Sequence, residues 1–203
     1  KCISEPYEPG SVFKIITLAS GLELGAVVPR NHFYCPGFYM VGNVKKGCWK
    51  TVGLGDQDLA AAVRNSCNPA FMMVGQRIGG ERFYDYFSNF GLTETTGVDL
   101  PGEAIGAYHT KKALTNPNDY ENSLTSSSFG QTFKVTPLQL VTAVAAAVNG
   151  GTLYEPHIVK QILDPDGNIV QTIEPKAKRQ VVSAETSAIV CQMLETVVTE
   201  GSG

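Results

Sequence analysis

Glu8-Pro9-Gly10-Ser11-Val12-Phe13-Lys14-Ile15-Ile16-Thr17-Leu18-Ala19-Ser20-Gly21-Leu22 is the stretch from which the rest of the chain hangs. It reads as a turn feeding a helix: Pro9 and Gly10 punctuate the backbone and Ser11 opens a helical run. Ile15, Ile16, Ala19 and Leu22 recur at helical spacing, which predicts one buried face. Ser11, Lys14 and Leu18 share another face, so the Ser11 hydroxyl and the Lys14 amine stand one turn apart, within reach of each other. A serine is a weak nucleophile until a base takes its proton. A lysine is that base only when burial or neighbouring positive charge keeps it neutral. The positive end of the helix dipole favours a developing alkoxide at Ser11.

Serine and lysine one turn apart are also common on solvated helices, so this spacing alone makes no site. Its company does. Ser66-Cys67-Asn68 is followed by Pro69, which pushes Asn68 out of helical geometry and suits the first position of a new helix. Ser66 and Asn68 are therefore expected at a helix–helix junction with their side chains free; the plain alternative is that Asn68 merely caps the second helix. An S-x-x-K pair with an S-x-N set matches two of the three motifs of penicillin-binding proteins and class A β-lactamases.

The wider sequence resembles one branch of that group. Tyr7-Glu8-Pro9-Gly10-Ser11-Val12-Phe13-Lys14 resembles the active-site segment of class B penicillin-binding proteins. Thr96 to Glu103, Ser128-Phe129-Gly130-Gln131, Val135 to Gln139, Gly150 to Pro156 and Val197 to Gly203 resemble further segments of the same transpeptidase domain, in the family's order. The sporulation-type members, which build spore-cortex peptidoglycan, are the most similar, partly because of Cys67. The resemblance implies an α+β fold: the mostly helical subdomain of the penicillin-binding protein and serine β-lactamase-like transpeptidase fold, with a small β-hairpin. Residues 1–150 would form the helical part with both motifs, 151–182 the hairpin, and 183–203 a C-terminal helix. No Lys-Thr-Gly or Lys-Ser-Gly occurs. In the family that third motif lies on a sheet-edge strand that also supplies an oxyanion donor. The chain thus reads as an internal piece of one domain, its central sheet largely outside. Loss of an oxyanion donor costs roughly a hundred- to thousand-fold in rate, so the parent is expected to be the enzyme and this piece inactive or weak.

The implied activity is peptidoglycan D,D-transpeptidation through an acyl-enzyme on Ser11. Lys14 is the implied base, Ser66 a proton relay, and Asn68 the group that binds the substrate amide and orients Lys14; Gly130 and Gln131 are implied substrate contacts. Stem peptides are the implied substrates and β-lactams the covalent inhibitors. No metal or organic cofactor is implied. The implied location is the extracytoplasmic face of the bacterial plasma membrane, with the anchor outside this chain. Two rivals are a class D-type β-lactamase or β-lactam sensor, and a catalytically silent binding or scaffold module. Thr96 to Glu103 and Val135 to Gln139 argue against the first; the joint presence of Ser11, Lys14, Ser66 and Asn68 argues against the second. The Ser11 helix and the Val135 to Val148 helix are too apolar to face water, so without the family's sheet they predict self-association, a shifted terminal helix or strands supplied by another chain.

Composition agrees with a globular domain: 203 residues, 43% hydrophobic and 17% charged, enough chain for a real core. A net charge of −3 with no basic run gives no argument for nucleic acid. No stretch is long and apolar enough to span a bilayer, and no signal peptide or internal repeat is visible.

Residues 26–55, rich in Gly and aromatic residues, read as a long loop. His32, Cys35 and Cys48 within it fit no standard zinc spacing. Asp56 or Asp58 is a candidate cap for a short helix before Ser66. Helices are expected from Pro69 to about Ile78 and over 81–90. Residues 108–128 read as polar loop, with Asp119 and Glu121 as solvated acids. Thr136-Pro137-Leu138-Gln139 is a capping-box helix start, and the helix behind it is apolar almost all round, hence buried. Residues 152–163 and 168–174 read as strands joined at Asp164-Pro165-Asp166-Gly167. Ser183 opens a final helix.

Five cysteines are an odd number, so at least one is unpaired within the chain. Cys67 sits inside the second motif and Cys48 shortly upstream, at the end of a flexible loop. In an oxidising compartment a neighbouring pair oxidises, and closing a loop of about 20 residues contributes roughly 3 kcal/mol on a disputed entropy model. A Cys48–Cys67 disulfide would draw the loop over Ser66 and Asn68 and hold the enzyme inactive until a thiol-disulfide oxidoreductase opened it. Cys35 with Cys48 is the competing pair, and a buried, inert Cys67 is the plain alternative. The bond requires Cα atoms within roughly 7 Å.

Overall fold

The structure, a computed structural model, describes residues 1–116 and 120–201. Of the acid pair read at Asp119 and Glu121, Asp119 lies outside the described residues and Glu121 falls on a helix. A tight 3₁₀ turn, Gly10–Phe13, runs directly into α1 (Lys14–Glu23). Four short strands follow: β1 (His32–Cys35), β2 (Phe38–Val41), β3 (Val44–Gly47) and β4 (Gly55–Asp58). Then come α2 (Leu59–Arg64), α3 (Asn68–Ile78), α4 (Gly80–Asn89), α5 (Lys111–Thr115), α6 (Tyr120–Ser127) and α7 (Pro137–Val148). The chain continues through β5 (Thr152–Glu155), β6 (Gln161–Leu163), β7 (Ile169–Thr172) and β8 (Lys176–Gln180) to α8 (Ala184–Thr199).

The strands form antiparallel pairs, β1 with β4, β2 with β3, β5 with β8 and β6 with β7. Residues 26–55 are therefore not the expected loop. β1 and β4 pair from His32 opposite Asp58 to Cys35 opposite Gly55, and β2–β3 is a hairpin inside them. The hairpin expected around Asp164 to Gly167 is β6–β7, but β5 leaves it to pair with β8. Residues 108–128, expected as loop, carry α5 and the start and body of α6. No helix among the described residues is long and apolar enough to cross a membrane.

α1 lies at the centre, packed by α3, α7, α8 and α4. Its apolar face is thus covered within the chain, by α8 among others, rather than left open. Ile16, Leu18 and Ala19 are essentially inaccessible. Phe13 is 1% exposed and sits in a ring cluster, 4.7 Å edge-on from Phe133 and 5.8 Å from Phe87. Burying such a ring stabilises by roughly 1.5–3 kcal/mol, with about 0.5–1.5 kcal/mol more per aromatic contact. This anchors the turn that carries Ser11. α7 is not buried all round: Leu140, Ala143, Ala146 and Ala147 face the core, whereas Val141 is 65% exposed.

The local starts follow from their caps. Asp58 accepts from the Ala61 N–H, Thr136 and Gln139 form the full capping box, and Ser183 accepts from the Thr186 N–H.

Candidate active site

Ser11 lies in the 3₁₀ turn rather than in the α-helix, and Lys14 is the first residue of α1. The side chains still meet, because residues three apart eclipse in a 3₁₀ turn. Ser11 is exposed, while Lys14 is 4% exposed. The nucleophile candidate therefore faces solvent, and its neighbour approaches it from the interior.

Lys14 Nζ lies 3.1 Å from Ser11 Oγ, 2.8 Å from Ser66 Oγ, 2.8 Å from the Ser66 carbonyl oxygen and 2.6 Å from Asn68 Oδ1. Two of these partners, the carbonyl and the amide oxygen, can only accept. A neutral amine has two N–H groups and one lone pair. If both N–H groups go to the two oxygens, the lone pair is left for a hydroxyl, and Ser11 and Ser66 are the hydroxyls in range. In that arrangement the Lys14 lone pair faces a serine hydroxyl, a geometry suited to taking up its proton. Burial lowers the Lys14 pKa to about 8, the largest cause being desolvation; charge on Cys67 or Cys48 acts the other way. Among the described residues no carboxylate touches the amine, so no ion pair offsets its desolvation.

Ser66 and Asn68 come from the α2–α3 junction. Cys67 is extended and caps α3, with Pro69 in its first turn. Asn68 does not cap the helix; its amide oxygen goes to Lys14 instead. Ser66 has φ +48, a left-handed conformation that a non-glycine residue adopts at a cost of order 1–3 kcal/mol. The twist lets both its carbonyl and its hydroxyl face Lys14. The sequence carries no signal for it.

Gly130 abuts the nucleophile turn. The Gly10 N–H donates to the Gly130 carbonyl at 2.9 Å. A Cβ at Gly130 would sit 1.9 Å from the Gly10 carbonyl oxygen, and its φ is +88, so only glycine fits. Gln131 is exposed beside it. Thr132, at φ +69, donates its N–H to Glu8 Oε1 at 3.1 Å. Glu8 and Thr132, which sequence reading did not single out, thus clamp the 130–132 loop to the turn.

The structure also brings cysteines together. The sulfurs of Cys35, Cys48 and Cys67 all lie within 4.8 Å of one another, buried and as free thiols. Both pairings weighed from sequence, Cys48 with Cys67 and Cys35 with Cys48, fall inside this one cluster. His32 is not part of it: its Nδ1 lies 3.0 Å from Asp56, in solvent.

Comparison with known proteins agrees across the full length. The penicillin binding protein transpeptidase domain family matches residues 1–203. The chain is 46% identical over 199 residues to stage V sporulation protein D of Bacillus subtilis, covering 97% of this chain and 30% of that protein. It is 30% identical over 204 residues to the probable peptidoglycan D,D-transpeptidase FtsI of Caulobacter vibrioides, covering 97% and 31%. Among solved structures, penicillin binding protein 3 of Mycobacterium tuberculosis in complex with aztreonam superposes with a TM-score of 0.85 at 32% identity, covering 99% of this chain and 44% of the other. The chain thus spans about a third of the length of these curated relatives. With the two-motif cage, the fold and the full-length match in agreement, the chain belongs to the penicillin-binding protein transpeptidase family.

Proposed function

We propose that this chain carries the nucleophilic half of a peptidoglycan D,D-transpeptidase, with Ser11 as the acylated residue. The observation that carries the reading is the buried Lys14 amine, 3.1 Å from Ser11 Oγ and held by two obligate acceptors. Ser11 Oγ attacks the carbonyl of a D-Ala-D-Ala stem peptide as Lys14 takes its proton. The tetrahedral adduct collapses to an ester, and the D-Ala amine leaves with a proton passed through Ser66. An amine from a second stem peptide then attacks the ester and gives up a proton to Lys14; as the peptide bond forms and the ester C–O bond breaks, Ser11 takes that proton from Lys14. Asn68 holds Lys14 and presents its remaining amide group to the substrate; Gly130 and Gln131 flank the bound peptide. The relative named a D,D-transpeptidase and the aztreonam-bound structure support both the substrate class and the covalent inhibition by β-lactams.

The reading places the protein in cell-wall synthesis on the outer face of the cytoplasmic membrane, and the similarity to a sporulation protein favours a sporulation role. It includes the Cys48–Cys67 disulfide as a brake on Ser66 and Asn68, supported by the mutual approach of the sulfurs. The test is intact-mass analysis of the full-length protein after penicillin, with and without prior reduction. The expected result is one adduct at Ser11, formed faster after reduction and absent in Ser11→Ala. An adduct that persists in Ser11→Ala refutes the assignment.

A further inference from the structure

Three segments between residues 35 and 67 converge on one dry point. Cys35 ends β1, Cys48 follows β3, and Cys67 caps α3; they are 1%, 6% and 0% exposed. The backbone locks each in place. The Cys48 N–H donates to the Gly37 carbonyl at 2.8 Å, and the Leu54 N–H to the Cys35 carbonyl at 3.0 Å. Three buried cysteines can simply be small apolar residues, but apolar packing does not explain a buried amide donor left without a partner beside them, that of Gln57. The Gln57 side chain lies beside Cys67. Gln57 is 4% exposed. Its Oε1 is fixed by the Asn65 amide at 2.9 Å, which leaves Nε2 pointing at the cluster with no hydrogen-bond partner. A buried donor without an acceptor is costly; a metal-bound thiolate at Cys67 is the acceptor it lacks.

We propose that Cys35, Cys48 and Cys67, when reduced, form a binding site for a single thiophilic d¹⁰ cation, Zn(II) foremost and Cu(I) as the softer alternative. Thiolate sulfur selects these ions. A Zn–S bond of about 2.3 Å brings sulfurs to within about 4 Å of one another, a small contraction from their present spacing. Binding Zn(II) releases three protons and leaves a cluster of charge −1, offset in part by the N-terminal end of α3. Three protein ligands leave the fourth position to a small exogenous ligand. Because each thiol must lose its proton, uptake strengthens as pH rises. The site does not depend on the transpeptidase reading, and it excludes the disulfide: the same thiols bind a cation only when reduced.

The experiment uses the whole chain, reduced and freed of metal under nitrogen, then titrated with Zn(II) and separately with Cu(I). Metal content after desalting and X-ray absorption at the metal edge are the readouts. The expected result is one equivalent with sulfur scatterers at about 2.3 Å. It persists when the exposed Cys2 and Cys191 are changed to Ser and is lost in Cys35→Ala and Cys67→Ala. Gln57→Leu, which removes an outer donor, weakens binding about 10–100-fold. X-ray absorption on the unmutated chain stands even if a cysteine variant misfolds. Retention of neither ion, a metal shell without sulfur, undiminished binding in folded Cys35→Ala, or equal uptake after oxidation of the thiols overturns the proposal.

Discussion

Two loop-to-helix junctions in this molecule use similar residues for opposite ends. At the start of α7, Thr136 and Gln139 satisfy each other: the Gln139 N–H donates to Thr136 Oγ1 at 3.2 Å and the Thr136 N–H to Gln139 Oε1 at 2.9 Å. Both are buried, Gln139 also donates to the Glu94 carbonyl, and the backbone is relaxed and extended. At the start of α3, Ser66 and Asn68 could serve the helix in the same way and do not. Their oxygens go to Lys14, and Ser66 is twisted to φ +48 to achieve it. A junction whose polar groups close on their own helix is structural. One that withholds them, at a backbone cost, has been arranged around something else.

The comparison makes its largest prediction for Lys14. In the full-length protein, Lys14→Ala is expected to slow penicillin acylation about 10²–10⁴-fold, the range for a lost general base. Thr136→Ala is expected to leave that rate unchanged. Adduct formation followed by mass spectrometry separates the two, and an equal loss in both variants would erase the distinction between the junctions.

The second effect is on stability and has the opposite sign to the loss of activity. The folded Lys14 pKa of about 8 lies below its ordinary 10.5. Between those values the unfolded chain holds the proton more tightly, so stability rises with pH; below about 8 the full cost of burying the charged amine remains. The shift corresponds to about 3 kcal/mol. Lys14→Met is therefore expected to stabilise the chain by up to about 3 kcal/mol at pH 7, less the hydrogen bonds lost at Ser66 and Asn68, with the gain shrinking from pH 8 towards 10.5. Denaturant melts across pH measure it; a variant less stable than the parent at pH 7 would mean that the cage stabilises the fold.

Smaller effects sharpen the contrast. Thr136→Ala is expected to cost about 0.5–2 kcal/mol, as an N-cap does. Ser66→Gly trades relief of the left-handed strain against backbone entropy and should stay within about 1 kcal/mol of the parent while acylation slows. A Ser66→Gly variant that melts much earlier, with acylation intact, would recast Ser66 as a structural residue.

The two junctions also differ in how far they could be read from sequence. The α7 cap was legible because all its partners lie within four residues. The same holds for Asp58 before α2 and Ser183 before α8. The Ser11–Lys14 pair was legible for the same reason. That Ser66 and Asn68 reach Lys14 is contact across more than fifty residues, and it was anticipated by resemblance rather than from local pattern. The turn of Ser66 and the clamp of Glu8 on Thr132 left no trace in sequence. β1 to β4 were missed because each has four residues, and β3 and β4, with Val44-Lys45-Lys46-Gly47 and Gly55-Asp56-Gln57-Asp58, lack the apolar alternation that marks a strand. Their pairing is tertiary, and it is what carries Cys35 to Cys48 and Cys67.

The central claim, that Lys14 takes the proton of Ser11 as a neutral amine, is tested most directly by the pH dependence of the second-order acylation rate of the full-length protein with penicillin, which reports free-enzyme ionisation. The rate is predicted to climb about tenfold per pH unit below about 8, the Lys14 value, and to level above it, with that inflection gone in Lys14→Ala. A rate flat from pH 6 to pH 9, or the same inflection surviving in Lys14→Ala, would contradict it.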